Sequence, residues 1–314
     1  MLIGYRESST TAGQIIGPYG LGASVLSFFI PLAFAYGIGY FYSRKRKKQN
    51  EDREKAGTME KEFATTLYHL ANEMRGKPIE RAFKDAAEKM SATKSGEFFK
   101  AVSVNLDFGM SYKEALFDPD LGVMKKTKSG MINSSMRILV EAAERSSEVA
   151  AETLYSISKY IDNIHKVNDK LRDYLTDILS DIKSQIGLLT PAIAGVVIGI
   201  TSMITFILGA LQKNMDNLSS LEGGAAMMNV TTLFGDGLPT YFFQIVVGVY
   251  VVEIIYILTV MRTGIENGAD TVREEYSIGQ NLMKAPMKYS AIALIVMLIF
   301  NLIAATIIQK TLAT

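Results

Sequence analysis

A run of five basic residues, RKRKK at positions 44–48, directly follows an apolar stretch at positions 19–42. A helix needs about 20 mainly apolar residues to cross the hydrocarbon core of a bilayer, so this stretch is long enough to span a membrane. It is not typical of a signal peptide, because the charges follow the apolar stretch instead of preceding it. Lys and Arg clusters mark the cytoplasmic end of a span. The sequence therefore predicts an N-terminus outside the cell and a cytoplasmic segment that begins at Arg44.

Three further apolar runs, at positions 186–211, 241–261 and 289–308, predict a total of four spans. The loop at 212–240 then lies outside with Lys213 as its only basic residue, whereas the inner loop at 262–288 has four basic residues. This asymmetry follows the positive-inside rule. We expect a multi-pass protein of the cytoplasmic membrane with both termini outside. Its three parts are an N-terminal segment with the first span (1–43), a cytoplasmic domain (44–185) and three further spans with their loops (186–314).

The cytoplasmic domain is predicted to be entirely helical. It is rich in Ala, Glu, Lys, Leu and Met, and it lacks the alternating β-branched runs of strands. Apolar residues spaced by three and four define its helices, the first of them at positions 59–74. The fold class is therefore all-α: an integral membrane protein with about four transmembrane helices and a cytoplasmic bundle of about six helices.

Two predicted helix junctions repeat each other, GKPIERAF at positions 76–83 and GMSYKEAL at positions 109–116. In each, a glycine ends one helix in the left-handed conformation that glycine tolerates. The next helix begins two residues later and carries an Ala that permits close packing. Ser111 and Glu114 have the spacing of a capping box. The pattern predicts two tight αα-hairpins.

The last helix of this domain is predicted to be long and to carry a narrow apolar seam. Neither Gly nor Pro occurs at positions 150–186, so the helix could continue into the second span as a rod about 50 Å long at about 1.5 Å per residue. Such a rod could carry movement to the membrane. The seam recurs at steps of three and four between charged faces, as in antiparallel helix pairs or coiled coils, and we expect it to be a packing surface. Its residues are Ile157, Ile161, Ile164, Val167, Leu171, Tyr174, Ile178 and Ile182.

Composition argues against several classes of chemistry. The formal net charge is only +1, without the basic excess of a nucleic-acid-binding protein. The chain has no cysteine and two histidines, His69 and His165, so thiolate sites are excluded and few general bases are available. No P-loop, Ser-His-Asp arrangement, HExxH or dinucleotide fingerprint occurs. We expect no enzyme, no cofactor and no metal site.

Glu253 lies near the middle of the third span, where an ionisable group is costly and indicates a function by default. The functional interpretations are a proton or ion relay, or a polar contact to a substrate helix. The alternative is a carboxyl that fixes helix packing, with Gln244 or Thr205 as its partner. In the second span, Pro191 and several glycines are predicted to permit close packing or a kink; the glycines are Gly187, Gly195, Gly199 and Gly209.

The repeated helix–Gly–capped restart pattern, together with LVEAAERSS at positions 139–147, resembles the type II secretion system F family. These are the platform proteins of type IV pili and related secretion machines. Glu144 and Ser146 match the family's Gly-Glu-x-Ser-Gly stretch, while Ala143 and Ser147 replace its usual glycines. The resemblance covers about residues 60–200. The later stretches GIENGAD and YSIG, at 264–270 and 276–279, look like the archaeal branch, which includes archaellum platform proteins.

The resemblance implies a scaffold that docks a hexameric secretion ATPase and uses the motor's movement to lift pilin-like subunits from the membrane. Many archaeal relatives carry two such domains and this chain has one, which implies a homodimer or pairing with a second platform subunit. The polar residues at or near the family-like motifs are candidates for the ATPase interface: Arg75, Lys77, Arg137, Glu141, Glu144 and Arg145. The alternative for Glu141 and Arg145 is a simple i,i+4 ion pair.

Two other functions remain open on the sequence: a small transporter or channel that uses Glu253, and a sensor that relays a signal along the long helix. The predicted topology also has a consequence for glycosylation in a host that glycosylates. Asn217 and Asn229 head acceptor tripeptides in the outer loop and are accessible, whereas Asn133 heads one inside the cell and is not.

Overall fold

The computed structural model describes residues 21–127, 129–219 and 240–312. These residues form helices and connecting turns, without a strand among them, which confirms the all-α prediction. A 3₁₀ helix covers Val123–Lys126, and a π-helical turn covers Gln185–Leu189. The α-helices are α1 (Leu21–Met74), α2 (Ile79–Lys89), α3 (Lys94–Asp107), α4 (Tyr112–Phe117), α5 (Gly130–Ala143), α6 (Ser147–Ser184), α7 (Thr190–Ser219), α8 (Thr240–Asn267) and α9 (Thr271–Leu312).

Four helical stretches within the described residues are long and apolar enough to cross a membrane, as predicted. They are Leu26–Met74, Ser147–Thr205, Tyr241–Asn267 and Thr271–Ile307. The chain divides into two compact units. The apolar unit comprises Met1–Arg46 and Asp177–Thr314, and the polar unit comprises Lys47–Thr176.

The first span and the predicted helix at 59–74 belong to one continuous helix, α1. Sequence reasoning separated them because the stretch between them is charged. That stretch is, however, composed mostly of Lys, Arg, Glu and Gln, which lose little side-chain freedom in a helix. A hydrogen bond of 2.8 Å from Asn50 Nδ2 to Glu54 Oε1, one turn apart, spans part of it.

The core of the polar unit is built around phenylalanine rings. Phe83 and Phe99 meet edge to face with centroids 5.4 Å apart, and the ring of Phe63 is tilted against Phe99 with centroids 6.5 Å apart. All three are almost completely buried. Edge-to-face aromatic pairs are favourable beyond the area that they bury. This cluster holds α1, α2 and α3 together, and it includes buried aliphatic residues of α4, α5 and α6.

Both predicted hairpin junctions form. Gly76 and Gly109 have φ of 75° and 82°, the left-handed region in which a Cβ is unfavourable. Ala82 and Ala115, which follow them, are fully buried. The Ser111 Oγ accepts the Glu114 amide at 3.3 Å, and the Ser111 amide donates to Glu114 Oε2 at 3.0 Å, so the predicted capping box is also confirmed.

In the apolar unit, helices α1 and α9 approach each other through two glycines. A Cβ on Gly279 would lie 2.6 Å from the backbone nitrogen of Ser43, and one on Gly39 would lie 2.9 Å from the carbonyl oxygen of Gly279. Small residues at such crossings let backbones come close. One turn further on, Arg46 binds Glu275 with both ends of its guanidinium, Nε–Oε2 at 2.6 Å and NH2–Oε1 at 3.2 Å.

The glycines predicted to permit close packing in the second span divide into two kinds. A Cβ on Gly195 would lie 3.0 Å from the backbone nitrogen of Ala293, and one on Gly199 would lie 2.5 Å from a methyl of Val296, which confirms close packing of α7 on α9. Gly187 instead has open space around it, so of the two predicted roles close packing does not apply to this residue. The surroundings of Gly209 lie outside the described residues.

Gly187 contributes its carbonyl group instead. In a regular α-helix this oxygen would accept from the amide of residue 191, but Pro191 has no N–H to donate. The π turn Gln185–Leu189 occurs at this point, and Lys288 Nζ donates to the Gly187 oxygen at 2.8 Å. The predicted disturbance at Pro191 is therefore a π turn whose free carbonyl is satisfied by a lysine of α9.

Candidate functional site

Ser147, the first residue of α6, joins two helix junctions at one end of the polar unit. Its Oγ lies 3.1 Å from the carbonyl oxygens of both Met74 and Lys77, so its hydroxyl proton is shared between the end of α1 and the start of the next turn. The junction after α1 contains the predicted interface residues Arg75, which is exposed, and Lys77. The sequence suggested Ser147 only as a replaced glycine; its bridging role needs the tertiary structure.

The last turn of α5 and the junction that follows it contain three more predicted interface residues, Glu141, Glu144 and Arg145, all exposed. Because Ser147 belongs to the same junction, they lie at the same end of the unit as Arg75. Helix α5 ends at Ala143, so Glu141 and Arg145 are not on one helix, and no ion pair joins them in the described part of the chain. The simple i,i+4 pair considered as the alternative is therefore not formed.

Lys77 is less available than Arg75 because it takes part in an ion network. Its Nζ lies 2.7 Å from both Glu73 Oε2 and Asp85 Oδ2, and Lys89 binds the other oxygen of Glu73. The two lysine hydrogen bonds lower the pKa of Glu73 from 4.5 to about 2. The carboxylates in turn raise the pKa of Lys77, with Asp85 contributing most. The network links the end of α1 and the junction after it to the C-terminal half of α2.

Arg137 has a different environment from the other candidates. It lies on α5, and its guanidinium stacks over the ring of Phe117 at 5.3 Å, a cation–π arrangement. Its Nε donates to Asn133 Oδ1 one turn earlier at 3.0 Å. At about 1.5 Å of rise per residue, Arg137 is about 9 Å along α5 from the helix end that carries Glu144. Five of the six candidates thus converge on the two junctions, and Arg137 lies apart.

Glu253 is exposed on α8 and makes no contact with either partner considered from the sequence. Gln244 is buried, where it accepts from Ser27 and lies 3.5 Å from the sulfur of Met297. The hydroxyl of Thr205 donates to the carbonyl of Thr201 at 2.9 Å. The predicted pairing of Glu253 is therefore not formed among the described residues.

The apolar unit instead buries other polar groups that the sequence analysis did not select. Asn301 Nδ2 donates to Ser202 Oγ at 3.0 Å between α9 and α7, and both side chains are fully buried. Asn281 Nδ2 donates to Thr259 Oγ1 at 3.1 Å between α9 and α8. The sequence carried a signal for both asparagines, since an amide side chain inside an apolar run is unusual. These pairs fix the mutual register of the helices and leave their polar atoms satisfied.

Among the described residues, no three His, Cys, Asp or Glu side chains converge in a way that could hold a metal ion. No protein-family model, curated protein or solved structure matches the chain. The candidate site therefore consists of charged, exposed side chains at one end of a helical unit. Such an arrangement is suited to a polar contact with another protein.

Proposed function

We propose that this chain is a membrane platform of a type IV pilus-like filament or secretion machine. In this proposal it couples a cytoplasmic hexameric secretion ATPase to the extraction and assembly of pilin-like subunits. The observation that carries the proposal is the convergence of Arg75, Glu144 and Arg145 at one end of the polar unit, joined through Ser147. These residues come from separate family-like motifs. A docking surface for the ATPase explains why they lie at the same end of the unit.

The proposal includes the topology. Residues 44–185 form the cytoplasmic bundle of about six helices, both termini lie outside, and the chain works as a homodimer or beside a second platform subunit, surrounded by membrane lipid. Two contacts support the placement of the inner segments on the same side of the membrane. Arg46 of the basic run binds Glu275, and Lys288 binds Gly187 at the start of the second span. A topology with alternating spans requires these four residues to lie on one side of the bilayer.

The position of Glu253 does not favour the transporter or channel. A pathway through one copy would have to pass a polar group inside the helix bundle, whereas Glu253 lies on the outer face of α8. We assign it instead to a polar contact with another helix in the membrane. The proposed role needs no catalysis and no cofactor from this chain, since the ATPase supplies the energy.

The test is binding of the full-length chain, in lipid nanodiscs, to the secretion ATPases of its own cell. The triple variant Arg75→Glu, Glu144→Lys, Arg145→Glu reverses three exposed charges without touching the ion network of Lys77. We expect it to lose ATPase binding and filament assembly while inserting normally.

The matched control is Lys94→Glu, which also reverses an exposed charge. The backbone amide of Lys94 binds Glu62, which lies about 18 Å along α1 from Met74 at about 1.5 Å per residue. It should bind like the unchanged chain. Full ATPase binding by the triple variant would remove these residues from the interface, and no binding by the unchanged chain to any secretion ATPase would overturn the proposed function.

A further inference from the structure

The apolar seam on α6 is packed within one chain near its two ends, at Ile161 and at Ile182, while its middle part is exposed. Ile161 is 1% exposed and belongs to the core of the polar unit. The neighbouring Tyr160 is 65% exposed, and further along the same unit Val167 is 57%, Leu171 53% and Tyr174 82% exposed. The sequence predicts a packing surface, and the middle part of the seam is largely exposed among the described residues of one chain. Because Ile164 completes the stripe, we call Tyr160, Ile164, Val167, Leu171 and Tyr174 the α6 stripe.

The α6 stripe has the geometry of a coiled-coil surface. Its residues follow one another at steps of four, three, four and three, an average of 3.5. At about 100° per residue they fall within an arc of about 80°. The other faces of the same helix are charged, and Lys166 pairs with Asp162 at 2.6 Å on one of them. This part of α6 is therefore in water, where an apolar stripe with four of its five side chains exposed and Ile164 partly exposed marks a binding surface.

We propose that the α6 stripe binds the same stripe of a second copy in a parallel, in-register coiled coil. In heptad terms, Ile164 and Leu171 occupy a positions, and Tyr160, Val167 and Tyr174 occupy d positions. The surface is its own complement, as a two-fold interface requires. Two copies in one bilayer have the same orientation, so equivalent helices beside a two-fold axis along the membrane normal run parallel. In this respect the inference rests on the proposed membrane topology.

The flanking residues fit a second copy. In a parallel pair, each g residue faces the e residue five positions later on the other helix. Asn163 then meets Asn168, whose amides hydrogen-bond to each other, and Lys170 meets Leu175, whose side chain the lysine stem covers. No like charges face each other across the pair. The charged residues Asp169 and Lys166 occupy the outer f and c positions and stay in water.

The experiment uses cysteine cross-linking, because the full-length chain contains no cysteine of its own. Single variants Val167→Cys, Leu171→Cys and Tyr174→Cys, in native membranes under mild oxidation, should form disulfide-linked dimers. A disulfide needs Cα atoms within about 7 Å, which equivalent a or d residues can approach. The matched controls Lys166→Cys and Asp169→Cys are on the same helix, also exposed, and should remain monomeric on a denaturing gel.

A second measurement uses the double variant Leu171→Asp, Tyr174→Asp, which changes exposed residues and so leaves the fold of each copy intact. In detergent, its dimer dissociation constant should rise by at least about 30-fold, as for the loss of central interface anchors. Cross-linking as strong at positions 166 and 169 as at 171 and 174, or an unchanged dissociation constant, would overturn the inference.

ATPase binding by the same variants keeps the two proposals distinct. If the double variant is monomeric and still binds the ATPase, both the pairing surface and the proposed docking surface stand. If the α6 variants stay dimeric while ATPase binding depends on Arg75, Glu144 and Arg145, the pairing inference fails alone. If the stripe cross-links but no ATPase binds the unchanged chain, the proposed function fails alone.

Discussion

At the scale of single residues, the carboxylates of Glu73 and Glu253 have contrasting surroundings. Glu73 is held between two lysines, whereas Glu253 has no partner among the described residues of one chain. The first contributes to the stability of the polar unit. Glu253 makes no such contact among the described residues, so it adds no comparable stability there.

The Glu73 network should make the polar unit sensitive to acid. Because the pKa of Glu73 is about 2 in the folded chain instead of 4.5, its ionised form stabilises folding above about pH 4.5. That contribution is lost as the pH falls from 4.5 towards 2. Glu73→Gln should lower the free energy of unfolding by about 0.5–1 kcal/mol at pH 7, a modest effect since both lysines are partly solvated. Denaturant titrations at pH 7 and pH 3 measure it; an equal deficit at both would contradict this account.

Substitution by Leu should lower the stability of the folded chain at Gln244 but not at Glu253. Gln244→Leu removes a buried amide that accepts from Ser27, and it should lower the free energy of unfolding in detergent by about 1–2 kcal/mol. Glu253→Leu changes an exposed side chain and should leave the midpoint of thermal unfolding unchanged or higher. A large drop for Glu253→Leu would mean that its carboxyl stabilises the single chain.

At the scale of helices, the crossing of α1 and α9 depends on the absence of side chains. The carbon added by Gly279→Ala would lie 2.6 Å from the backbone nitrogen of Ser43, so the two helices must separate. We expect a loss of about 1–3 kcal/mol in stability, as for other overpacked sites. Gly264→Ala is the control, because its added carbon meets nothing within 4 Å. The measurement is the midpoint of thermal unfolding in detergent, which should be lower for Gly279→Ala than for Gly264→Ala. Equal midpoints would contradict the close approach of the two helices.

Local helix signals were predictable from the sequence because neighbouring residues determine them. Gly76 and Gly109 end their helices, and Ser111 with Glu114 forms the capping box, since each depends on a few consecutive side chains. Apolar length likewise predicted the four helical stretches that are long and apolar enough to cross a membrane. Contacts between distant residues were not predictable: nothing in the sequence shows that Ser147 meets the carbonyl of Met74. For the same reason, the candidate interface residues could be proposed individually, while their convergence required the fold.

At the scale of the whole molecule, the topology proposal makes one chemical prediction. In a host that glycosylates, Asn133 should stay unmodified, because the proposal assigns it to the cytoplasm, whereas it assigns Asn217 and Asn229 to the outer side of the membrane. Residues 220–239, which include Asn229, are not among those that the structure describes. Mass spectrometry of the purified protein is the measurement, and a reporter fused near Met90 gives an independent one. Glycan on Asn133, or a Met90 reporter accessible from outside, would contradict the topology.

The π turn at Gln185–Leu189 changes the phase of every residue that follows it. On a single helical wheel at about 100° per residue, Ile182 and Ile186 lie about 120° away from Ala194 and Ile198. All four are nevertheless buried in the same core cluster. Counting the π turn as one inserted residue turns the wheel back by about 100° and brings the four onto one side. A one-residue deletion within this turn would therefore restore a regular α-helix and leave the glycines facing α9, whereas straightening the turn without a deletion would rotate the second span by about 100° and turn those glycines away from α9.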